Sequence, residues 1–132
     1  MIYVLDTNTV GYFFRGEGRV GQRLLATPPR DIAVPAIVTY ELRYGVARVP
    51  KSRRLAEQLE ALLGWVTVLP FDDAVSQVAA RIRVQLERAG QPIGPLDTLI
   101  AASAVAANAA LVTRNTSEFG RVRELKVENW FE

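Results

Sequence analysis

The chain contains no cysteine and no histidine in 132 residues. These two absences exclude disulfides, zinc sites built on thiolate or imidazole, thiol nucleophiles, Ser-His-Asp triads and the paired-histidine acid–base chemistry open to some ribonucleases. Any metal chemistry must therefore run through oxygen ligands, and an all-oxygen site suits hard cations such as Mg²⁺ or Mn²⁺. Long hydrophobic runs are missing too. The longest apolar stretch, residues 99–112, has 14 residues and is interrupted by Ser103 and Asn108, short of the ~20 needed to cross a bilayer. Residues 1–5 meet Asp6 with no basic leader before them, so no targeting segment is read, no membrane is expected as a partner and a cytoplasmic location is expected.

What is present is ordinary for a folded chain, with 49% hydrophobic and 23% charged residues, and the length fits one domain spanning residues 1–132. Sixteen Lys plus Arg stand against fourteen Asp plus Glu. The small basic excess is mostly arginine and does not by itself imply nucleic acid.

Short apolar runs alternate with helical patterns. Residues 2–5 read as a buried strand cut off by the polar cluster Asp6-Thr7-Asn8, which starts a helix halted by Gly16 and Gly18. A second short helix covers residues 20–26, a strand residues 31–34, and Pro35 suits the first turn of a helix reaching Arg48. Ser52 is read as the cap of a helix with Leu55, Leu59, Leu62 and Leu63 on one face and Gly64 at its end. A third strand at 66–69 precedes a helix over 72–89, in which Val75, Val78, Ala79, Ile82 and Leu86 keep 3,4 spacing up to Gly90. Pro95 opens an alanine-rich helix, residues 111–113 form a fourth strand, and Val127 marks a possible fifth. Strands alternating with helices predict a parallel sheet of four to five strands covered on both faces.

Three carboxylates fall where a carboxylate is out of place. Asp6 follows the first strand at its C-terminal end, the edge where open α/β sheets bind ligands, although an N-cap would use the same residue. Glu41 lies beside an apolar stripe of Ile37, Tyr40, Tyr44 and Ala47, where an inward carboxylate is costly unless it binds a metal or pairs with an arginine such as Arg43 or Arg81. Asp97 lies in the first turn of an otherwise apolar helix and shares a face with Ile100, Ala101 and Ala104; the helix dipole alone would also favour it there. After the fourth strand, residues 113–119 form a polar loop in which Asn115 can offer a carbonyl or hold a water. Glu118 there either adds a charge or caps the next helix.

Leu5-Asp6-Thr7-Asn8, Tyr40-Glu41-Leu42, the run Gly94-Pro95-Leu96-Asp97-Thr98-Leu99-Ile100-Ala101 and the segment from Thr113 to Phe119 occur in the order and spacing seen in PIN-domain proteins. With Leu69-Pro70-Phe71-Asp72 and a terminal Val127-Glu128-Asn129-Trp130, the chain resembles VapC toxins of bacterial toxin–antitoxin pairs over its whole length. The resemblance implies a three-layer α/β/α PIN-like fold and a Mg²⁺-dependent ribonuclease, with Mn²⁺ able to substitute. Asp6, Glu41 and Asp97 match the family's acidic positions, and Asn115 stands where a further Asp is common, with Glu118 able to compensate.

On that footing Asp6 and Asp97 are the expected metal ligands, Glu41 orients or deprotonates the attacking water, Asn115 supports a further water, and Thr7 and Thr113 contact phosphate. Arg15, Arg43, Arg48, Arg53, Arg54 and Arg114 are candidates for the RNA backbone, with tRNA or ribosomal RNA as the substrate class. The resemblance further implies a cognate antitoxin helix lying in a groove, for which residues 55–63 and Tyr12-Phe13-Phe14 are candidates, and a homodimer. Two phosphate-handling alternatives fit less well. An Asp-nucleophile enzyme wants a second acid where Asn8 stands, and a receiver domain lacks its late lysine. A non-catalytic PIN-like module that binds RNA or protein is the remaining rival.

Overall fold

The computed structural model describes residues 1–49 and 53–132, so the expected cap at Ser52 lies outside the described residues. Five strands, β1 (Tyr3–Leu5), β2 (Ile32–Pro35), β3 (Thr67–Leu69), β4 (Ala110–Val112) and β5 (Lys126–Glu128), form one sheet of order β3-β2-β1-β4-β5. Every neighbouring pair is parallel. All residues of β2 and β4 are buried, as are Val4 and Leu5 of β1. Successive strand side chains point to opposite faces, so burial at every position requires cover on both, which gives the three-layer α/β/α architecture. The cover comes from α1 (Thr7–Arg15), α2 (Val20–Leu25), α3 (Ala36–Arg48), α4 (Arg53–Trp65), α5 (Asp73–Arg88), α6 (Pro95–Ala106) and the short α7 (Thr116–Phe119). Leu5, Leu24, Ile32, Leu59, Ile82, Ile100, Leu111 and Phe119 are fully enclosed, each contributing roughly 1.5–3 kcal/mol of apolar burial.

The strand order sets the position of the site. The chain steps outward from β1 to β2 to β3, then returns to the other side of β1 to lay down β4 and β5. The segments leaving the C-terminal ends of β1 and β4 therefore depart in opposite directions and open a crevice between them. Asp6 follows β1, and Thr113 and Asn115 follow β4, so both edges of the crevice carry polar side chains.

Helix ends follow local chemistry. The Asp6 carboxylate caps α1 by accepting from the Thr9 amide at 2.8 Å, and Asp72 caps α5 by accepting from the Val75 amide at 3.1 Å. Gly16 ends α1 in the left-handed region at φ 68°, where a side chain would be strained. In α5 the buried residues are Val75, Ala79, Ile82 and Leu86, in keeping with the expected spacing.

Four local expectations are corrected. The inward stripe of α3 is not Tyr40, Tyr44 and Ala47: Val38 is buried and Leu42 packs on the core, while Tyr40 and Tyr44 are 59% and 57% exposed. Val38 and Leu42 are four residues apart and share a face, which turns Tyr40 and Tyr44 toward solvent and leaves Glu41 on the flank of the buried stripe. Gly64 does not stop α4, which runs on to Trp65. Pro35 is the last residue of β2 and the N-cap of α3 rather than part of its first turn. The polar loop after β4 contracts into α7, which starts at Thr116 and is anchored by buried Phe119.

Candidate active site

Asp6 is held at the crevice from three sides. Its backbone amide donates to the Val112 carbonyl at 3.2 Å, its carboxylate caps α1 through Thr9, and the Thr113 hydroxyl bonds the same carboxylate. Thr9, fully internal, ties the start of α1 to β4 by donating its hydroxyl to the Val112 carbonyl at 3.0 Å. Burial pushes the Asp6 pKa up, while the bonds from Thr113 and Thr9 act in the opposite direction. The cap and the candidate ligand are thus one residue, its orientation fixed by the capping bond.

Glu41 reaches the same region from α3. Neither Arg43 nor Arg81 neutralises it: Arg43 pairs with Glu60 at 2.7 Å, and Arg81 pairs with Glu124. Its partner is the Thr7 hydroxyl, which donates to Oε1 at 2.6 Å across 34 residues of sequence. A short bond to a carboxylate is a charge-assisted one, and it holds the half-buried side chain in a defined place.

Asp97, in the first turn of α6, is also half-buried, and its pKa is raised to about 6. The causes are desolvation first, then the negative charges of Glu118, Glu41 and Asp6. Three acids from separate segments, Glu118, Glu41 and Asp6, are thus near enough to act on the charge of Asp97. Gly94 leaves room for it, since a Cβ there would stand 3.3 Å from the Asp97 Oδ2 atom. Glu118 is held by two donors: its Oε2 accepts from the Asn115 side-chain amide at 2.6 Å, and its Oε1 from the Gly94 backbone amide at 3.4 Å.

The expectation for two threonines changes in consequence. Thr7 and Thr113, read as phosphate contacts, have their hydroxyls occupied by Glu41 and by Asp6, and the Thr113 oxygen also accepts from the Asn115 amide at 3.0 Å. They position carboxylates. Asn115, exposed at the lip, donates one side-chain N–H to Glu118. Thr9 was not singled out from the sequence, and the only local signal for it was its place three residues after a capping Asp.

The donor set has the chemistry of a hard-cation site. Among the described residues no arginine or lysine pairs with Asp6, Glu41, Asp97 or Glu118, and like charges raise the Asp97 pKa. A divalent cation would relieve such repulsion. The acids share a field without forming a closed cage: among the described residues no three acidic side chains are already gathered to hold a metal. Glu41 is drawn toward Thr7 and Glu118 toward Asn115 and Gly94.

Glu41 and Asp6 each line a concave surface. A groove of about 880 Å³ between α1, α3 and α4 includes Thr7, Glu41, Arg15, Arg48 and Arg54, and a smaller mouth of about 310 Å³ is bounded by Asp6, Asn8, Tyr12, Arg114 and Asn115. Arg114 lies over the Phe131 ring at 3.6 Å from its centroid, and its already high pKa is raised further, chiefly by a hydrogen bond with Tyr12. Of the six arginines proposed for RNA, Arg15, Arg48, Arg54 and Arg114 line these surfaces, whereas Arg43 faces Glu60 and Arg53 lines neither.

Comparison with known proteins agrees with this geometry. A profile described as the PIN domain matches residues 3–125. Ribonuclease VapC2 of Rickettsia felis is 36% identical over 132 residues, 98% of each chain. The chain belongs to the VapC ribonucleases of the PIN-domain family. A tRNA(fMet)-specific endonuclease VapC of Shigella flexneri is 29% identical to this VapC-family chain over 128 residues, 97% of each. Among solved structures, VapBC2 from Rickettsia felis bound to a promoter DNA fragment superposes with a TM-score of 0.90 at 35% identity, covering 98% of this chain and 99% of that one. FitAcB from Neisseria gonorrhoeae does so with a TM-score of 0.89 at 30% identity, covering 99% of each chain.

Proposed function

We propose that this VapC-family chain is a Mg²⁺-dependent endoribonuclease and the toxin half of a toxin–antitoxin pair. The observation that carries this is the convergence of Asp6, Glu41, Asp97 and Glu118 at the switch-point crevice, where Asp97 feels the other three and no cation among the described residues offsets them. Asp6 and Asp97 would hold the metal, with Glu118 as a further ligand braced by Asn115. When bound, Mg²⁺ supplies charge neutralisation at the phosphoryl group and a lowered pKa for water. Glu41, fixed by Thr7, accepts a proton from the attacking water. The water oxygen bonds to phosphorus, the bond to the 3′-oxygen breaks, and that oxygen leaves as a hydroxyl after taking a proton from solvent. With no imidazole in the chain, removal of the proton from the attacking water rests on a carboxylate.

Several further roles rest on the family. tRNA or ribosomal RNA is the proposed substrate, as a relative carries the name tRNA(fMet)-specific endonuclease, and the cytoplasm is the proposed compartment. A cognate antitoxin is the proposed partner, since solved relatives are described as VapBC complexes. The apolar depression of about 420 Å³ bounded by Phe13, Phe14, Leu25, Leu62 and Trp65 suits its helix. A homodimer is proposed for the free toxin.

The test incubates purified protein with bulk tRNA and ribosomal RNA in Mg²⁺, with EDTA and Asp6→Asn controls. Cleavage that needs the metal and Asp6 supports the proposal. Stable RNA binding with no cleavage in any condition would favour the non-catalytic module instead.

A further inference from the structure

A second concave surface, away from the carboxylates, has the opposite electrostatic character. About 590 Å³ is enclosed between the second half of α5 and the segment following α7, and its lining includes Arg81, Arg88, Arg121 and Arg123 with Glu124 as the one acid. Arg81, Gln85 and Arg88 stand at i, i+4 and i+7 and share one exposed face of α5. Arg121 and Arg123 approach from the other wall. Only Arg81 is neutralised, by Glu124. Arg121 donates to the Pro92 carbonyl at 3.0 Å, a neutral partner that fixes the guanidinium and leaves its charge uncompensated. Arg88 and Arg123 pair with no carboxylate among the described residues. Four arginines against one glutamate give this cavity a charge of +3, more than the +2 of the whole chain.

The cavity is joined to the acidic crevice by one loop. Pro92 accepts from Arg121, and two residues on, the Gly94 amide donates to Glu118. Residues 92–94 thus connect Arg121 of the cation site to Glu118 of the crevice through two hydrogen bonds. A polyanion has good reason to need such a neighbour. Acids around the reaction point repel phosphate, and guanidinium groups elsewhere on the same surface attract the polyanion and raise the encounter rate. Arginine forks also match phosphate geometry in two-point contacts.

We propose that this cavity is a second RNA-binding site, in which Arg88, Arg121 and Arg123 hold backbone phosphates of the substrate beyond the scissile bond. It deepens the ribonuclease assignment and rests on it. Arg121 is held by Pro92 and serves as the fixed cation, while Arg88 and Arg123 are the free ones. None of the three takes part in bond cleavage, so their contribution is to binding.

The test measures anisotropy of fluorescein-labelled bulk tRNA at 50–300 mM NaCl on an Asp6→Asn background in EDTA, so that binding is read without cleavage. Arg88→Ala, Arg123→Ala and their double variant are compared with Arg30→Ala, which removes an exposed charge from the turn entering β2, at the sheet edge opposite the crevice. Each cavity substitution should lower the salt slope by about 1 and the pair should weaken binding about tenfold, while Arg30→Ala leaves the slope unchanged. In the Asp6-containing protein with Mg²⁺, the double variant should raise KM with kcat within about twofold. Loss of kcat with KM intact, or a double variant that binds with the parent's affinity and slope, overturns the second site alone. A parent protein that neither binds nor cuts RNA overturns the ribonuclease assignment and this site with it.

Discussion

The Thr7 hydroxyl donates to Glu41 at 2.6 Å, joining the first turn of α1 to the middle of α3. Thr7 immediately follows Asp6, so the residue that aims Glu41 is covalently tied to the one that anchors the crevice. Thr7→Val keeps the branched shape but removes the donor. It should lower kcat about 10- to 100-fold, the range typical of groups that orient a ligand or base. The cost in stability should be only about 1 kcal/mol, because half-buried Glu41 can recover water. Thr7→Ser should restore most of the rate. Equal losses from Val and Ser would show that the methyl packing matters and the hydroxyl does not.

Asp97 links the site to stability through pH. Its folded pKa is about 6, above the ordinary value of 3.8, so the folded state binds more protons than the unfolded chain between roughly pH 4 and 6. Stability therefore falls as pH rises through that window and levels off above it. Two units would amount to nearly 3 kcal/mol, but solvent screening of a half-buried group cuts this to about 1 kcal/mol. In EDTA, Asp97→Asn should be more stable than the parent at pH 7.5 by about that amount and indistinguishable at pH 4, as read from urea midpoints. Adding Mg²⁺ should stabilise the parent more than the variant, since a ligand stabilises in proportion to the occupancy of its site. A variant less stable than the parent in EDTA at pH 7.5 would mean that the carboxylate is structural.

Product ends report the chemistry directly. Water activated at carboxylates and metal leaves a 5′-phosphate and a 3′-hydroxyl. Attack by the neighbouring 2′-hydroxyl would leave a 2′,3′-cyclic phosphate, and the chain has no histidine to drive it. Ligation of a 3′ adapter to untreated fragments should therefore succeed. Fragments that accept the adapter only after phosphatase treatment would sink the proposed mechanism.

How much of this could be read in advance differs from residue to residue. Asp6 was legible because a short apolar run broken by one acid marks both the end of a buried strand and the sheet edge where ligands bind. The α5 stripe was legible from its spacing, which the structure keeps at Val75, Ala79, Ile82 and Leu86. The α3 stripe was misread because tyrosine counts as apolar in a periodic pattern yet carries a hydroxyl that favours water, and the smaller Val38 and Leu42 took the core. The Thr7–Glu41 bond spans 34 residues and the Gly94–Glu118 bond 24. No local pattern announces either, because both depend on strand order.

Asn115 and Glu118 provide the sharpest test of that long-range assembly. If Asn115 acts through Glu118, to which its amide is bonded at 2.6 Å, the two residues form one functional unit and their losses will not add. Asn115→Ala should cost about tenfold in kcat, releasing Glu118 to water while Gly94 still holds its other oxygen. Glu118→Gln should cost more, because it removes a negative charge from the field felt by Asp97. On the Glu118→Gln background, Asn115→Ala should then cost less than about twofold. Additive losses would give Asn115 a separate contact with substrate or water. Asn115→Asp is the complementary probe: it places a carboxylate against Glu118 and replaces a donor with a repelling charge. Without divalent metal it should lower the unfolding midpoint, and Mg²⁺ should recover that loss in full if both carboxylates then face the same cation.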